Sequence, residues 1–308
     1  MICSYEKAKS NNSMDIFKRL DSFVVRCLSF LPDKIYLSLR YRCRMGHWIN
    51  WKNPKTFTEK IQWLKINNRR PEYTRMVDKF AVKEYVAGVI GEEYIIPTLG
   101  VWDKPEDIDW ESLPDQFVLK TTHGGGGGGV VICRDKKTFD KGKAIEKLTE
   151  SLNSDIYKSF REWPYKDVPK RIIADKFMTP EKNLESAGLM DYKFFCFNGK
   201  VRFFKVDFGR FVEHHANYYS PGGELLEFGE QGLEPDPNYP IELPNNIGEM
   251  ISLAEKLSIN EPFLRVDFYN VNGKIYFGEL TFYPASGMGK WTNDDTDVCV
   301  GEYLTIAS

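Results

Sequence analysis

The chain has 308 residues, 42% hydrophobic and 14% aromatic, enough to bury a substantial core with room for two lobes. Its 42 basic and 44 acidic residues nearly balance, so overall charge gives no support to a nucleic-acid partner. The cysteines at 3, 27, 43, 133, 196 and 299 show no C-x-x-C or zinc-type spacing, and no stretch is apolar enough to cross a bilayer or serve as a signal-peptide core; a reducing, cytoplasmic setting is expected.

Residues 14–45 read as helical. Met14, Phe17, Leu20, Phe23, Val24, Cys27, Leu28 and Leu31 recur at helical spacing, Pro32-Asp33 breaks the run, and Lys34–Met45 forms a second helix that Gly46 stops. Lys18, Arg19 and Arg26 flank the first apolar stripe. They fit a helix docked on the protein, the preferred reading, or a peripheral contact of residues 14–31 with the inner face of a membrane. A helical segment over 1–52 would precede an α/β lobe over 53–115. There Thr56 and Glu59 make a capping box before an apolar-periodic helix. Val77–Val86 reads as a helix with Asp78, Lys79 and Lys83 near its start, charges that by default form a solvated face, and Ile95–Trp102 as a strand.

A third segment, 116–180, opens on Phe117-Val-Leu-Lys-Thr-Thr-His and runs into six glycines, Gly124, Gly125, Gly126, Gly127, Gly128 and Gly129, before Val130-Val-Ile-Cys133. So many glycines are costly to order, and polyphosphate is the usual reason for a backbone to pass so close to a ligand. A Walker A loop needs Lys-Ser/Thr and then a helix, and a Rossmann loop must also open a helix; the β-branched run here predicts a strand. The reading is a strand, a flexible flap and a returning strand, with Lys120 at the root; the alternative is a mobile hairpin loop or linker. A polar helix over Phe139–Lys158 and a buried strand over Arg171–Met178 follow.

The last segment, 181–308, holds two hairpins. Tyr192–Val206 turns on Asn198-Gly199, a type I′ pair. Residues 209–247 form a long loop with short strands; its His214-His215 pair would point to opposite faces, which disfavours chelation. In Phe263–Phe282, a two-residue Asn272-Gly273 turn would send Asp267 and Glu279 to opposite faces, whereas a three-residue loop Val271-Asn272-Gly273 puts Arg265, Asp267, Glu279 and Thr281 on one face. The three-residue loop is expected for that reason. The carboxylates so placed suit a hard-cation site or an ordinary cross-strand ion pair.

Together these features resemble the ATP-grasp superfamily, and more closely its TupA-like branch of capsule and surface-polysaccharide clusters. The resemblance rests on Lys55–Lys65, Asp78–Val86, Asp191–Gly199 and Tyr276–Gly287, the last with the pattern Glu-x-x-x-x-Pro-x-x-Gly. It implies an α+β fold in which two lobes clasp ATP, with magnesium, as two ions, held by Asp267, Glu279 and Thr281. By the same resemblance Lys79 and Lys120 would meet the α- and β-phosphates, with Thr121, His123 and Gly124–Gly129 folding over the phosphates. Asp175, Lys176 and Phe177 would line the adenine, Asp191 and Lys193 would complete the nucleotide contacts, and Arg265 and Arg210, with Lys120, would offset charge as the phosphoryl group moves. Two departures stand out: Thr281 where many relatives carry Asn, and Asp175 where Glu is common.

The implied reaction is ATP-dependent amide formation through an acyl phosphate, joining an amino acid or other amine to a uronic acid of a surface glycan. It needs no protein nucleophile, and none is discernible in the sequence. A glycan kinase, a nucleotide-sugar glycosyltransferase and a nucleotide sensor are the alternatives.

Overall fold

The structure, a computed structural model, describes residues 19–125, 127–179, 189–210, 212–239, 241–293 and 295–306. Helical residues 19–27 dock on α1 (Asp33–Met45) through Asp21, which takes Arg40 Nε at 2.7 Å and Arg44 Nε at 2.8 Å. Leu20, Phe23 and Phe30 are left exposed, residues 14–18 lie outside the described residues, and no described helix is long and apolar enough to cross a membrane. Gly46 ends α1 in the left-handed conformation, as expected. Helix α2 (Phe57–Asn67) starts on the expected Thr56–Glu59 capping box.

The single helix expected over Val77–Val86 is two: α3 (Glu72–Val77) and α4 (Ala81–Ile90). Asp78 makes the break. Its Oδ1 accepts from the N–H groups of Phe80 (2.8 Å) and Ala81 (3.2 Å), capping α4, while Oδ2 accepts from Arg171 (2.8 Å). The Lys79 N–H is thereby free to donate to the carbonyl of Thr122 (3.0 Å) at the root of the glycine run. A carboxylate near a helix start competes for backbone N–H groups, and here the cap overrides the apolar period.

A four-stranded antiparallel sheet has the order β1-β4-β2-β3, with β1 Thr98–Trp102, β2 Phe117–Thr121, β3 Val130–Cys133 and β4 Ile172–Lys176. β2 and β3 form the expected hairpin, with Lys120 opposite Val130. β1, expected within the preceding lobe, is an edge strand of this sheet. Alternation sends Phe117, Leu119, Ile172 and Ala174 to one face, where they pack with Leu148 of α5 (Lys141–Leu152). Lys120 and Asp175 take the other face. The polar helix expected from Phe139 to Lys158 is α5 and a short α6 (Ile156–Phe160), each capped by an aspartate.

The second sheet is antiparallel with order β7-β6-β5-β8-β9: β5 Asp191–Phe197, β6 Lys200–Phe208, β7 His215–Tyr219, β8 Phe263–Val271 and β9 Lys274–Thr281. Phe194, Cys196, Phe204, Val206, Val266 and Phe268 share the core with Met250, Leu253 and Leu257 of α7 (Ile247–Ser258). On the opposite face, Phe195 and Phe203 stack at 4.6 Å near Phe57 of α2 and Trp291. The other end of that face is almost entirely charged. Helix α8 (Thr296–Glu302) braces the start of α2, where Asp297 accepts from Thr58 and from the indole N–H of Trp291.

The Asn198-Gly199 turn has both residues at positive φ, as expected of type I′. The β8–β9 turn differs from expectation. It too is a two-residue turn, Asn272-Gly273 at φ 54° and 77°, flanked by Val271 opposite Lys274, and not the three-residue loop. The register is corrected further down, by a bulge between Phe268–Phe277 and Asp267–Glu279 that leaves Gly278 as the extra residue. The expected sharing of one face by Arg265, Asp267, Glu279 and Thr281 therefore holds by a different device. A Cβ on Gly278 would lie 3.1 Å from the carbonyl of Asp267. Gly278→Ala should thus cost about 1–3 kcal/mol in urea unfolding, the usual range for overpacking.

Candidate active site

Cross-strand register builds the charged face. Asp191 on β5 lies opposite Asp207 on β6; Lys193 lies opposite Lys205 on one side and Asp267 on the other; Asp267 lies opposite Glu279, and Arg265 opposite Thr281. Arg265 holds Asp267 bidentately, Nε to Oδ1 and Nη2 to Oδ2 both at 2.7 Å, and reaches Thr281 Oγ1 at 3.0 Å. Burial disfavours charge on Asp267, but Arg265 and Lys193 outweigh it and hold the carboxyl below its ordinary value. Burial likewise works against the Lys193 ammonium, and Asp191 and Asp267 reverse the balance, so its pKa lies above that of an ordinary lysine. Arg210 approaches Asp191 (3.2 Å) and Asp207 (3.6 Å) at the outer end of this face. His214 and His215 do not converge: His214 faces Asp207 and His215 bonds the carbonyl of Glu234.

Lys79 joins the two sheets. Its Nζ lies 3.2 Å from Glu279 Oε1 and 2.7 Å from the carbonyl of Gly124, so one ammonium touches both the acidic hairpin and the glycine run. Lys120 is 3.2 Å from Asp175 Oδ2. Lys83, which was read only as part of a solvated helix face, meets the other oxygen of Asp175 at 2.5 Å and the carbonyl of Ile96 at 2.9 Å. Burial, partly offset by Asp175, lowers the pKa of Lys83. Past Asp175, Lys176 donates its N–H to the carbonyl of Pro97 at 3.0 Å, and the ring of Phe177 lies under Arg134.

The glycine run has reasons beyond a ligand. Thr121 Oγ1 and Ser151 Oγ pair at 2.8 Å, and a Cβ on Gly124 would overlap Thr121 Oγ1, while one on Gly129 would overlap both hydroxyls. Gly127 has φ +78°, a conformation that needs glycine. Gly125 and Gly128 are exposed, a Cβ at the first meeting only Ile156 Cδ1 at 3.4 Å, and Gly126 lies outside the described residues. Thr121 and His123 were expected to contact nucleotide. Their side chains turn inward instead, His123 Nε2 to the carbonyl of Ser151 at 3.1 Å, so any such contact falls to their backbone. Gly129→Ala should lower the stability in urea unfolding by about 1–2 kcal/mol, an overpacking effect at the root of the glycine run. Gly128→Ala, with no neighbour closer than 3.9 Å, should leave it unchanged.

β6 also contributes residues that sequence reasoning missed. Lys205 sits between Asp207 (3.5 Å) and Glu230 (2.9 Å), all three on the charged face or facing it. The alternation Lys205-Val206-Asp207-Phe208 was a legible period-two signal for this.

A strand–glycine flap–strand hairpin facing an Arg-x-Asp/Glu hairpin across a bridging lysine defines an ATP-grasp protein. The chain belongs to the TupA-like ATPgrasp family, which matches residues 59–305. Among solved structures it is similar to D-alanine–D-alanine ligase from Helicobacter pylori (14% identity, 81% of this chain and 69% of that one, TM-score 0.45). It is also similar to D-alanyl-alanine synthetase A from Vibrio cholerae O1 (14%, 88% and 69%, 0.45) and to L-amino acid ligase from Bacillus licheniformis (14%, 75% and 49%, 0.44). No curated protein matches the chain.

Proposed function

We propose that the enzyme joins an amine, an amino acid being the preferred class, to a uronic-acid carboxylate of a surface glycan or its precursor. The carboxylate takes the γ-phosphoryl group of ATP, releasing ADP; the amine then attacks the acyl phosphate, losing a proton and expelling phosphate as the amide forms. The observation that supports this reading is Lys79, whose Nζ touches Glu279 and the carbonyl of Gly124 at once and so brings the acidic hairpin and the glycine run together.

Lys79 and Lys120 would bind the phosphates, Asp175–Phe177 would edge the adenine, and Asp191 would receive the ribose. Arg265 and Arg210 would neutralise charge as it shifts between phosphoryl oxygens. Of the oxygen donors expected for magnesium, Glu279 is the open carboxylate, while Asp267 and Thr281 also accept from Arg265; one such carboxylate with phosphates and water is a common magnesium shell. No group of three or more His, Cys, Asp or Glu suited to a metal occurs among the described residues. When bound, magnesium would supply Lewis-acid charge to the phosphates. The flap would exclude water from the acyl phosphate. A cytoplasmic location with peripheral membrane contact through residues 14–31 belongs to the same proposal, and co-sedimentation with anionic vesicles tests it.

The deciding experiment follows ADP and phosphate with pools of amino acids and uronic-acid glycans. Release that requires both an amine and a carboxylate supports the ligase reading. ADP release with a glycan and no amine would replace it with a kinase.

A further inference from the structure

The position of Lys193 has a consequence for how many divalent ions this site takes. Its side chain is only 8% exposed, on the central strand β5, and its Nζ bonds Asp191 Oδ2, lies 2.9 Å from Asp267 Oδ2 and 3.9 Å from Asp207 Oδ2. Those carboxylates are themselves 2–7% exposed. Register and not a chance rotamer brings them together: Lys193 faces Asp267 directly across β8, and Asp191, two residues before it, faces Asp207 across β6. Buried carboxylates this close repel one another unless a cation stands among them. In phosphoryl-transfer sites that cation is commonly a divalent ion. Here the chain provides an ammonium.

The remaining donors point the same way. Both oxygens of Asp267 are already engaged, by Arg265 and by Lys193. Thr281 Oγ1 accepts from Arg265 and offers a neutral hydroxyl where a second ion would need a stronger donor. Glu279, 36% exposed, is the open member of the set. We infer that Lys193 stands in permanently for a second divalent ion, so that the site takes one ion with each nucleotide instead of two. This rests on the ATP–magnesium reading above. It makes Lys193 a charge-positioning residue whose contribution does not depend on metal concentration.

The test counts ions directly. The full chain, saturated with ADP or a non-hydrolysable ATP analogue, is titrated with Mn²⁺ and free ion is followed by electron paramagnetic resonance. One ion per nucleotide-bound chain is expected, and two would overturn the inference. Lys193→Met, which leaves the aspartates without their ammonium, should raise the count to two; a count that stays at one in a nucleotide-binding variant would show that Lys193 does not hold an ion's place. Should that variant fail to fold, a wild-type count of two still overturns the inference. Nucleotide binding without any ion would remove the magnesium reading and this inference with it, and absence of nucleotide binding would overturn the proposed function itself.

Discussion

Glutamine in place of Glu279 is expected to cut ADP formation about 10²–10³-fold, the range seen when one preorganised charge-stabilising group is lost, with the melting temperature almost unmoved. The side chain is 36% exposed, and its partner Lys79 keeps the carbonyl of Gly124 as a second acceptor, so no buried charge is stranded. Asp267→Asn should lose as much activity and be destabilised as well. Its carboxylate is buried and balances Arg265 and Lys193 together, and removing one partner of such a pair costs about 3–5 kcal/mol. A coupled ADP assay beside thermal unfolding separates the two variants. Glu279→Gln with near wild-type turnover would take the acidic hairpin out of the chemistry.

The contrast between those two residues was only half legible in the sequence. That both carboxylates share a face followed from sorting charged from apolar positions, and the sorting was sound. The turn was misassigned because a bulge at Gly278 shifts register by one residue as effectively as a longer loop does, and alternation cannot say where along the hairpin the shift falls. A glycine inside a strand pattern was the available sign. The flap's strand–loop–strand form was readable from β-branched runs, but the reason for Gly124 and Gly129 was not. It depends on Ser151, which sits 22 residues beyond Gly129 and reaches Thr121 only once α5 packs on the sheet. Lys83 and Asp175 likewise meet across 92 residues, so local charge pattern presented Lys83 as a solvated lysine. What the sequence conveys well is which residues share a strand face; what it conceals is which distant side chain closes the pair.

Lys65 makes the same point with a larger consequence for stability. It belongs to the Lys55–Lys65 segment on which the family resemblance partly rests, yet its side chain stays outside the proposed chemistry. Fully buried, its Nζ donates to the carbonyls of Phe160 (3.1 Å) and Ser286 (2.8 Å) and to Ser286 Oγ (2.7 Å). Gln62, one helical turn earlier, donates to the carbonyls of Ser286 (2.9 Å) and Gly287 (2.8 Å). Together they grip Ala285-Ser286-Gly287, left-handed at φ 47°, 56° and 63°, a conformation that costs about 1–2 kcal/mol for each non-glycine residue. The segment follows β9 closely, so its placement bears on Glu279 and Thr281. Lys65→Met should destabilise the protein by about 3–5 kcal/mol, because it strands those buried carbonyls and the Ser286 hydroxyl. The pH dependence identifies the cause. Burial pushes Lys65 down to about 7 from its ordinary 10.5, with Glu162 pulling the other way. Between those values the unfolded chain binds the extra proton, so stability from this group rises with pH across the window and is flat below it. Lys65→Met lacks that rise. The gap between wild type and variant in urea unfolding should therefore widen from pH 7 toward pH 10, and a constant gap would mean that Lys65 is held charged throughout by the oxygens around it.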